Sequence, residues 1–144
     1  MDAELGGSLG LLALYGFIAL AFSFFCSIAE AVLLSVSPTY ISTLEDQGER
    51  SGLILHKLKS AIDRPLAAIL TLNTIAHTAG AVGVGAEAAA LWGSAAVGIA
   101  SGVMTLAILV ISEIIPKTIG ATHWRALAPS MAYMLPPLIR VLIP

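Results

Sequence analysis

The chain has 144 residues, of which 58% are hydrophobic and 11% are charged, and its formal net charge is −2. A soluble domain carries about 25% charged residues, so this composition, with a mean hydropathy of +0.93, predicts a single integral membrane domain. The weakly acidic balance offers no basic face for phosphates, so nucleic acid is not expected as a partner. The one cysteine, Cys26, excludes a disulfide within the chain and a paired-cysteine metal site.

The first apolar segment, residues 9–37, is long enough to cross a bilayer, which takes about 20 residues. The chain before it carries Asp2 and Glu4 but no basic residue. A cleaved signal peptide needs a positively charged region at that place, so we expect this segment to be retained as a membrane span. Pro38 then marks a break before the next stretch.

Residues 39–64 form an amphipathic stretch in which Leu53, Leu55, Leu58 and Ile62 recur at helical spacing among charged residues. We predict one helix, or two short ones, on the membrane surface or beneath it. Four of the seven basic residues of the chain lie in this stretch. The positive-inside rule therefore places it in the cytoplasm and the N-terminus outside.

Two further spans are predicted at about residues 65–92 and 95–116, joined by a short outer turn after Trp92. The last stretch, 124–144, is apolar but contains four prolines and Arg140. We predict an interfacial or juxtamembrane helix there, with a fourth span as the alternative. The expected fold is an all-α membrane protein, because a chain in lipid must satisfy its backbone hydrogen bonds within each helix.

Polar side chains interrupt the three predicted spans at a similar depth. Ser23 and Ser27 share one face of the first helix, Asn73 lies in the inner half of the second, and Glu113 lies in the inner half of the third. A carboxylate at the centre of a membrane helix costs about 2.5–3.5 kcal/mol and is retained mostly where it faces a bundle interior, a cavity or an ion. Pro116 adds a backbone carbonyl that loses its usual donor. Such oxygens favour a hard cation, Mg²⁺ or Na⁺, over zinc or copper.

Structural explanations remain open for each of these polar residues. The two serines could ease helix packing or bond their own backbone. Asn73 could cross-link two helices, and His77, one turn further along the same face, could be a packing or hydrogen-bonding residue. Glu113 could form a salt bridge with Lys117 four residues later. The coincidence in depth favours an ion site over these readings.

Three motifs resemble the transmembrane domain of the cyclin M (CNNM)/CorC magnesium transporter family. They are the run FSFFCSIAE at 22–30, the segment LNT at 72–74 with His77, and the run SEIIPKTIG at 112–120. The resemblance extends over nearly the whole chain, and the first and third patterns are specific together although each is weak alone.

The resemblance implies a multi-pass, non-enzymatic homodimer in the cell membrane, with three transmembrane helices, juxtamembrane helices and an outside N-terminus. It implies export of Mg²⁺ in exchange for Na⁺. By the motif match, Ser23, Ser27, Asn73 and Glu113 would be cation ligands, and Gly120 would lie near the site through its backbone. Family members usually continue into a cytosolic pair of CBS modules, which this sequence does not contain.

Two other functions compete with transport. A magnesium-sensing or scaffolding module would bind the ion without moving it and would use residues 39–64 as its partner surface. An intramembrane hydrolase using Ser101 with His77 or His123 is the least favoured, since nothing in the sequence places a histidine beside that serine.

Overall fold

The computed structural model describes residues 2–142, and the surroundings of side chains from residue 9 onward. This part of the chain is helical with short connections and contains no β-strand, which confirms the predicted all-α fold. In chain order the elements are α1 (Asp2–Ser35), α2 (Pro38–Asp46), α3 (Arg50–Ser60), α4 (Asp63–Trp92), α5 (Ala96–Ala107), a π-helical segment (Ile108–Ile114), α6 (Ile115–Thr122) and α7 (Trp124–Leu142).

Three helical rods are long and apolar enough to cross a membrane, namely Leu9–Ser35, Asp63–Trp92 and Ala96–Thr122. The third rod comprises α5, the π-helical segment and α6, so the helix continues through Pro116. The predicted set of three spans with shorter helices beside them is therefore confirmed. Helix α7 has 19 residues and three internal prolines, and it is not one of the three candidate spans among the described residues.

The short helices α2 and α3 form an amphipathic hairpin at one end of the three rods. The Ser37 hydroxyl accepts a hydrogen bond from the backbone N–H of Tyr40 (3.2 Å), and Pro38 occupies the first turn of α2. Both features favour the start of a helix. The turn between the helices contains Gly48 at φ 75°, a conformation that side chains with a Cβ rarely adopt.

The main hydrophobic core lies where the C-terminal half of α1 meets α2, α3 and α7. Its members come from these four helices, together with Ile69 on α4 and Val36 between α1 and α2. The hairpin and α7 therefore cover the end of the first span. A smaller cluster of Ala19, Val84 and Met104 lies further toward the other end of α1. The main core consists of buried Cys26, Ala29, Val32, Leu33, Val36, Ile41, Leu44, Leu55, Leu58, Ile69, Ala128, Met131, Ala132 and Leu135.

Helices α1 and α4 approach each other closely at two glycines of α4. A Cβ at Gly80 would overlap the Cβ of Ala19, and one at Gly83 would lie 2.8 Å from the ring of Tyr15. Small residues at a helix contact let the two backbones come together. This contact sets the face of α4 that is turned toward α1 and so positions Asn73 and His77.

Candidate cation site

The two serines of α1 face the interior of the bundle, and their surroundings differ. Ser23 is fully buried, and its Oγ lies 2.6 Å from Nε2 of His77 on α4. Ser27, one turn further, is 1% exposed, and its buried Oγ has no hydrogen-bond partner in the described part of the chain. A hydroxyl in a helix can bond the backbone carbonyl one turn back, but Ser27 makes no such bond. Its oxygen therefore has free lone pairs that another group could use.

Glu113 lies on the π-helical segment and points between the first and second spans. Its Oε1 is 3.4 Å from Nδ2 of Asn73, which donates a hydrogen bond, and 3.7 Å from Nε2 of His77. Three spans therefore meet at one place, through Ser23 on α1, the two α4 residues and Glu113. The side chain of Glu113 is 23% exposed, so it is partly buried.

Asn73 provides a second unpartnered oxygen. Its amide nitrogen points at Glu113, and its Oδ1 is buried without a partner among the described residues. Leaving a buried acceptor unsatisfied costs about 1–3 kcal/mol, and native proteins keep such groups rare. Ser27 Oγ and Asn73 Oδ1 are the two buried side-chain oxygens of this kind in the described residues, and both belong to the predicted ligand set.

The backbone beside Glu113 is also irregular. The N–H of Ile115 bonds the carbonyl of Val110, five residues back, as in a π-helix. The next donor along the chain would come from residue 116, which is proline and has no N–H. The carbonyls of Ile111 and Ser112, the acceptors that this donor would serve, therefore lose it. π-Helical turns of this kind occur frequently at functional sites.

Gly120 is the contact between α6 and α1. A Cβ built on it would lie 2.7 Å from the Cβ of Ala31 and 3.0 Å from the carbonyl oxygen of Ile28. Only a residue without a side chain allows the two backbones to come this close. Gly120 thereby holds α6 against the turn of α1 that follows Ser27. A role of its backbone in an ion site stays a prediction.

Lys117 adds a positive charge to the site. Its Nζ lies 3.1 Å from Oε2 of Glu113 and 3.8 Å from Oε2 of Glu30. The bond to Glu113 is the four-residue salt bridge that the sequence allowed. The approach to Glu30 was missed, because it depends on how closely α6 packs on α1.

The Ser23–His77 bond was missed as well. The only signal for it was that His77 lies one turn after Asn73 on the same helix face. In the structure His77 is part of the polar contact between the first two spans.

The residues considered for a hydrolase are not brought together. Ser101 lies beside Gly85, and its backbone carbonyl accepts a hydrogen bond from Thr105. His77 is bonded to Ser23 instead. No hydrogen bond between Ser101 and a histidine is found within residues 9–142.

The described residues contain no group of three or more His, Cys, Asp or Glu side chains that could hold a metal ion. The donors that meet here are of a different kind. They are hydroxyl, amide and carboxylate oxygens, with backbone carbonyls and the imidazole of His77 beside them. The oxygens are ligands that Mg²⁺ and other hard cations take.

Comparison with known proteins identifies the family. Residues 14–144 match the model of the cyclin M transmembrane N-terminal domain. A UPF0053 protein of Synechocystis is 37% identical over 107 residues, covering 74% of this chain and 31% of its own length. The UPF0053 inner membrane protein YfjD of Escherichia coli is 32% identical over 119 residues, covering 81% of this chain and 27% of its own length.

A chloroplastic DUF21 domain-containing protein of Arabidopsis thaliana is 32% identical over 111 residues, covering 77% of this chain and 17% of its own length. The chain thus spans less than a third of the length of these relatives. With a family match that extends over most of the sequence and three helices able to cross a membrane, the chain is a membrane protein that belongs to the cyclin M transmembrane domain family.

Proposed function

We propose that this domain transports Mg²⁺ across the cell membrane, exporting it in exchange for Na⁺. The observation that supports the proposal is the pair of buried, unpartnered oxygens, Ser27 Oγ and Asn73 Oδ1; the amide nitrogen of Asn73 donates a hydrogen bond to the carboxylate of Glu113. A cation bound between α1 and α4, which are in contact one turn away at Ser23 and His77, would supply a partner for these oxygens. Membership of a transporter-related family agrees with this use of the site.

The ligands would divide their roles by chemistry. Glu113 would provide the negative charge, Ser23, Ser27 and Asn73 would provide neutral oxygens, and Gly120 would contribute through its backbone. Mg²⁺ requires about six oxygens in a tight octahedron and gives up water reluctantly, so part of its hydration shell would remain. Ser23 would have to exchange its bond to His77 for a bond to the ion.

The third span contains the features that would allow the site to open to each side in turn. Its backbone hydrogen bonds are irregular from Ile108 to Pro116, on both sides of Glu113 along the helix. A helix that has already lost one backbone bond bends at lower cost than a regular one. Na⁺, a hard monovalent cation, would use the same oxygens on the return step.

The assembly is also part of the proposal. We place the domain in a homodimer surrounded by lipid, joined in the longer protein to a cytosolic region with CBS modules. The relatives are more than twice the length of this chain, which leaves room for such a region.

Flux into proteoliposomes tests the function. Purified protein is reconstituted around a magnesium-sensitive dye, and the Mg²⁺ signal is followed while a Na⁺ gradient is imposed. The parent should show flux driven by the Na⁺ gradient, and Glu113→Gln should abolish it. Glu87→Gln is the matched control, because it removes a carboxylate of α4 that makes none of the site contacts. Ion binding by the parent without flux would instead identify a sensor or scaffold.

A further inference from the structure

The ammonium group of Lys117 lies between two carboxylates on different spans. Its Nζ is 3.1 Å from Glu113 Oε2, on the same rod, and 3.8 Å from Glu30 Oε2, on α1. The side chains of Lys117 and Glu30 are 44% and 37% exposed, so both can move more freely than Glu113, at 23%. The lysine therefore forms ion pairs with both carboxylates at once and is closer to Glu113.

The two oxygens of Glu113 face different groups. Oε1 faces His77 and Asn73, and Asn73 carries one of the unpartnered oxygens. Oε2 faces Lys117. A cation that binds among the unpartnered oxygens must share the negative charge of Glu113 with the ammonium that already holds it.

We propose that Lys117 is a tethered counter-ion that occupies Glu113 when no cation is bound and competes with the transported ion for it. This inference rests on the proposed transport function. When the cation binds Glu113, the ammonium withdraws to Glu30. When the ammonium returns to Glu113, it weakens the hold on the cation and promotes release.

The charge of the cluster explains why such a competitor suits a divalent cargo. Two carboxylates and one ammonium leave a net charge of −1. A divalent ion makes the cluster positive, whereas one Na⁺ makes it neutral. Charges on partly buried side chains interact more strongly than charges in solvent. The lysine therefore keeps Mg²⁺ from being held too tightly to leave, and it favours Na⁺ in the exchange.

The variant Lys117→Met tests the competition, with Mg²⁺ binding measured by isothermal titration in detergent. The dissociation constant should fall by about fivefold, the ratio that corresponds to the loss of a partly exposed ion pair. The rate of Mg²⁺ release, followed in the same proteoliposomes as the flux, should fall with it. Lys57→Met is the matched control, because it removes one lysine from an exposed position of α3 and should leave both quantities unchanged.

The double variant Glu30→Gln/Lys117→Met separates a specific competitor from a general charge effect. It has the same net charge as the parent cluster but lacks the ammonium. Tighter Mg²⁺ binding than the parent supports direct competition at Glu113. Binding equal to the parent overturns it, because net charge alone then sets the affinity. The double variant also leaves no unpaired charge on Glu30, so it tests the inference if the single variant does not fold.

The remaining outcomes are distinct from one another. Weaker Mg²⁺ binding by Lys117→Met, with a parent that binds, would show that the lysine only orients Glu113, and it would overturn the competition while leaving the transport function intact. A parent that binds no Mg²⁺ would overturn the proposed function and the competition together.

Discussion

The contact between α6 and α1 at Gly120 gives a prediction whose size can be worked out from the structure. In Gly120→Ala the new Cβ would lie 2.7 Å from the Cβ of Ala31 and 3.0 Å from the carbonyl oxygen of Ile28. Carbon atoms in contact are normally about 3.5–4.0 Å apart. Neither neighbour can rotate away, since one is a backbone atom and the other is fixed to its Cα. Helix α6 must therefore move outward by roughly 0.8 Å to restore an ordinary contact.

Overpacking of this kind costs about 1–3 kcal/mol. The alanine also recovers about 0.5–1 kcal/mol of helix propensity, which has to be separated from the overlap. Gly98→Ala on α5 provides the matched control, because a Cβ at Gly98 has no atom within 4 Å. The propensity gain is common to both variants, so the difference in their unfolding free energy should be the overpacking cost alone, about 1–3 kcal/mol.

Thermal unfolding of both variants in detergent, without divalent ions, measures this difference. At about 3 °C per kcal/mol for a protein of this size, Gly120→Ala should unfold about 3–9 °C below Gly98→Ala. Equal midpoints for the two variants would refute the described contact, and with it the position of α6 beside the turn of α1 that carries Ser27.

Three further variants probe the site itself, each by thermal unfolding with and without Mg²⁺. Ser27→Ala removes an unpartnered hydroxyl, so the ion-free protein should be as stable as the parent or more stable by about 1 kcal/mol. The rise in unfolding temperature caused by Mg²⁺ should become smaller. A loss of stability in the ion-free protein would show that the hydroxyl has a partner after all. Ser23→Ala breaks the 2.6 Å contact with His77 and should cost the ion-free protein about 1 kcal/mol, whereas no cost would count against that bond. Pro116→Ala returns a backbone N–H to the third span and should stabilise the ion-free protein by about 1 kcal/mol. An unchanged unfolding temperature would mean that the carbonyls of Ile111 and Ser112 already have donors.

The helices and the polar positions were predictable because both depend on local pattern. Apolar runs of spanning length predict membrane helices, and the structure has three of them. The depth of Ser23, Asn73 and Glu113 along their helices follows from simple counting, so their meeting could be anticipated without a structure. Their role as ion ligands stays a prediction until binding is measured.

The π-helical segment could not be predicted from the sequence. Its residues, ILVISEI, have no composition that separates a π-helix from an α-helix. The choice depends on tertiary packing, including the hydrogen bond from Ser112 Oγ to the carbonyl of Leu20 on α1. A π-helix has more residues per turn than an α-helix, so side chains within and after this segment point in different directions from those of a regular helix. The direction in which Glu113 points could therefore not be predicted from α-helical periodicity.

The partners of Lys117 and His77 were also beyond the sequence. Which side chains meet across two helices depends on how closely the backbones approach, and that is set by the glycines. Gly120 brings α6 onto α1 and so brings Lys117 to Glu30. Gly80 brings α4 onto α1 and so brings His77 to Ser23. The sequence showed the glycines but not the pairs that they would bring together.

The most direct test of an ion site within the membrane is the thermal stability of the purified protein against Mg²⁺, with Ca²⁺ and Na⁺ as controls, for the parent and for Asn73→Ala. An ion that binds only the folded state stabilises it by about 2.7 kcal/mol at 100 times its dissociation constant. A Mg²⁺-dependent rise in the parent that is lost in Asn73→Ala is the expected result. No rise in the parent, or an equal rise in both proteins, would contradict a site built on Asn73 Oδ1 and Ser27 Oγ.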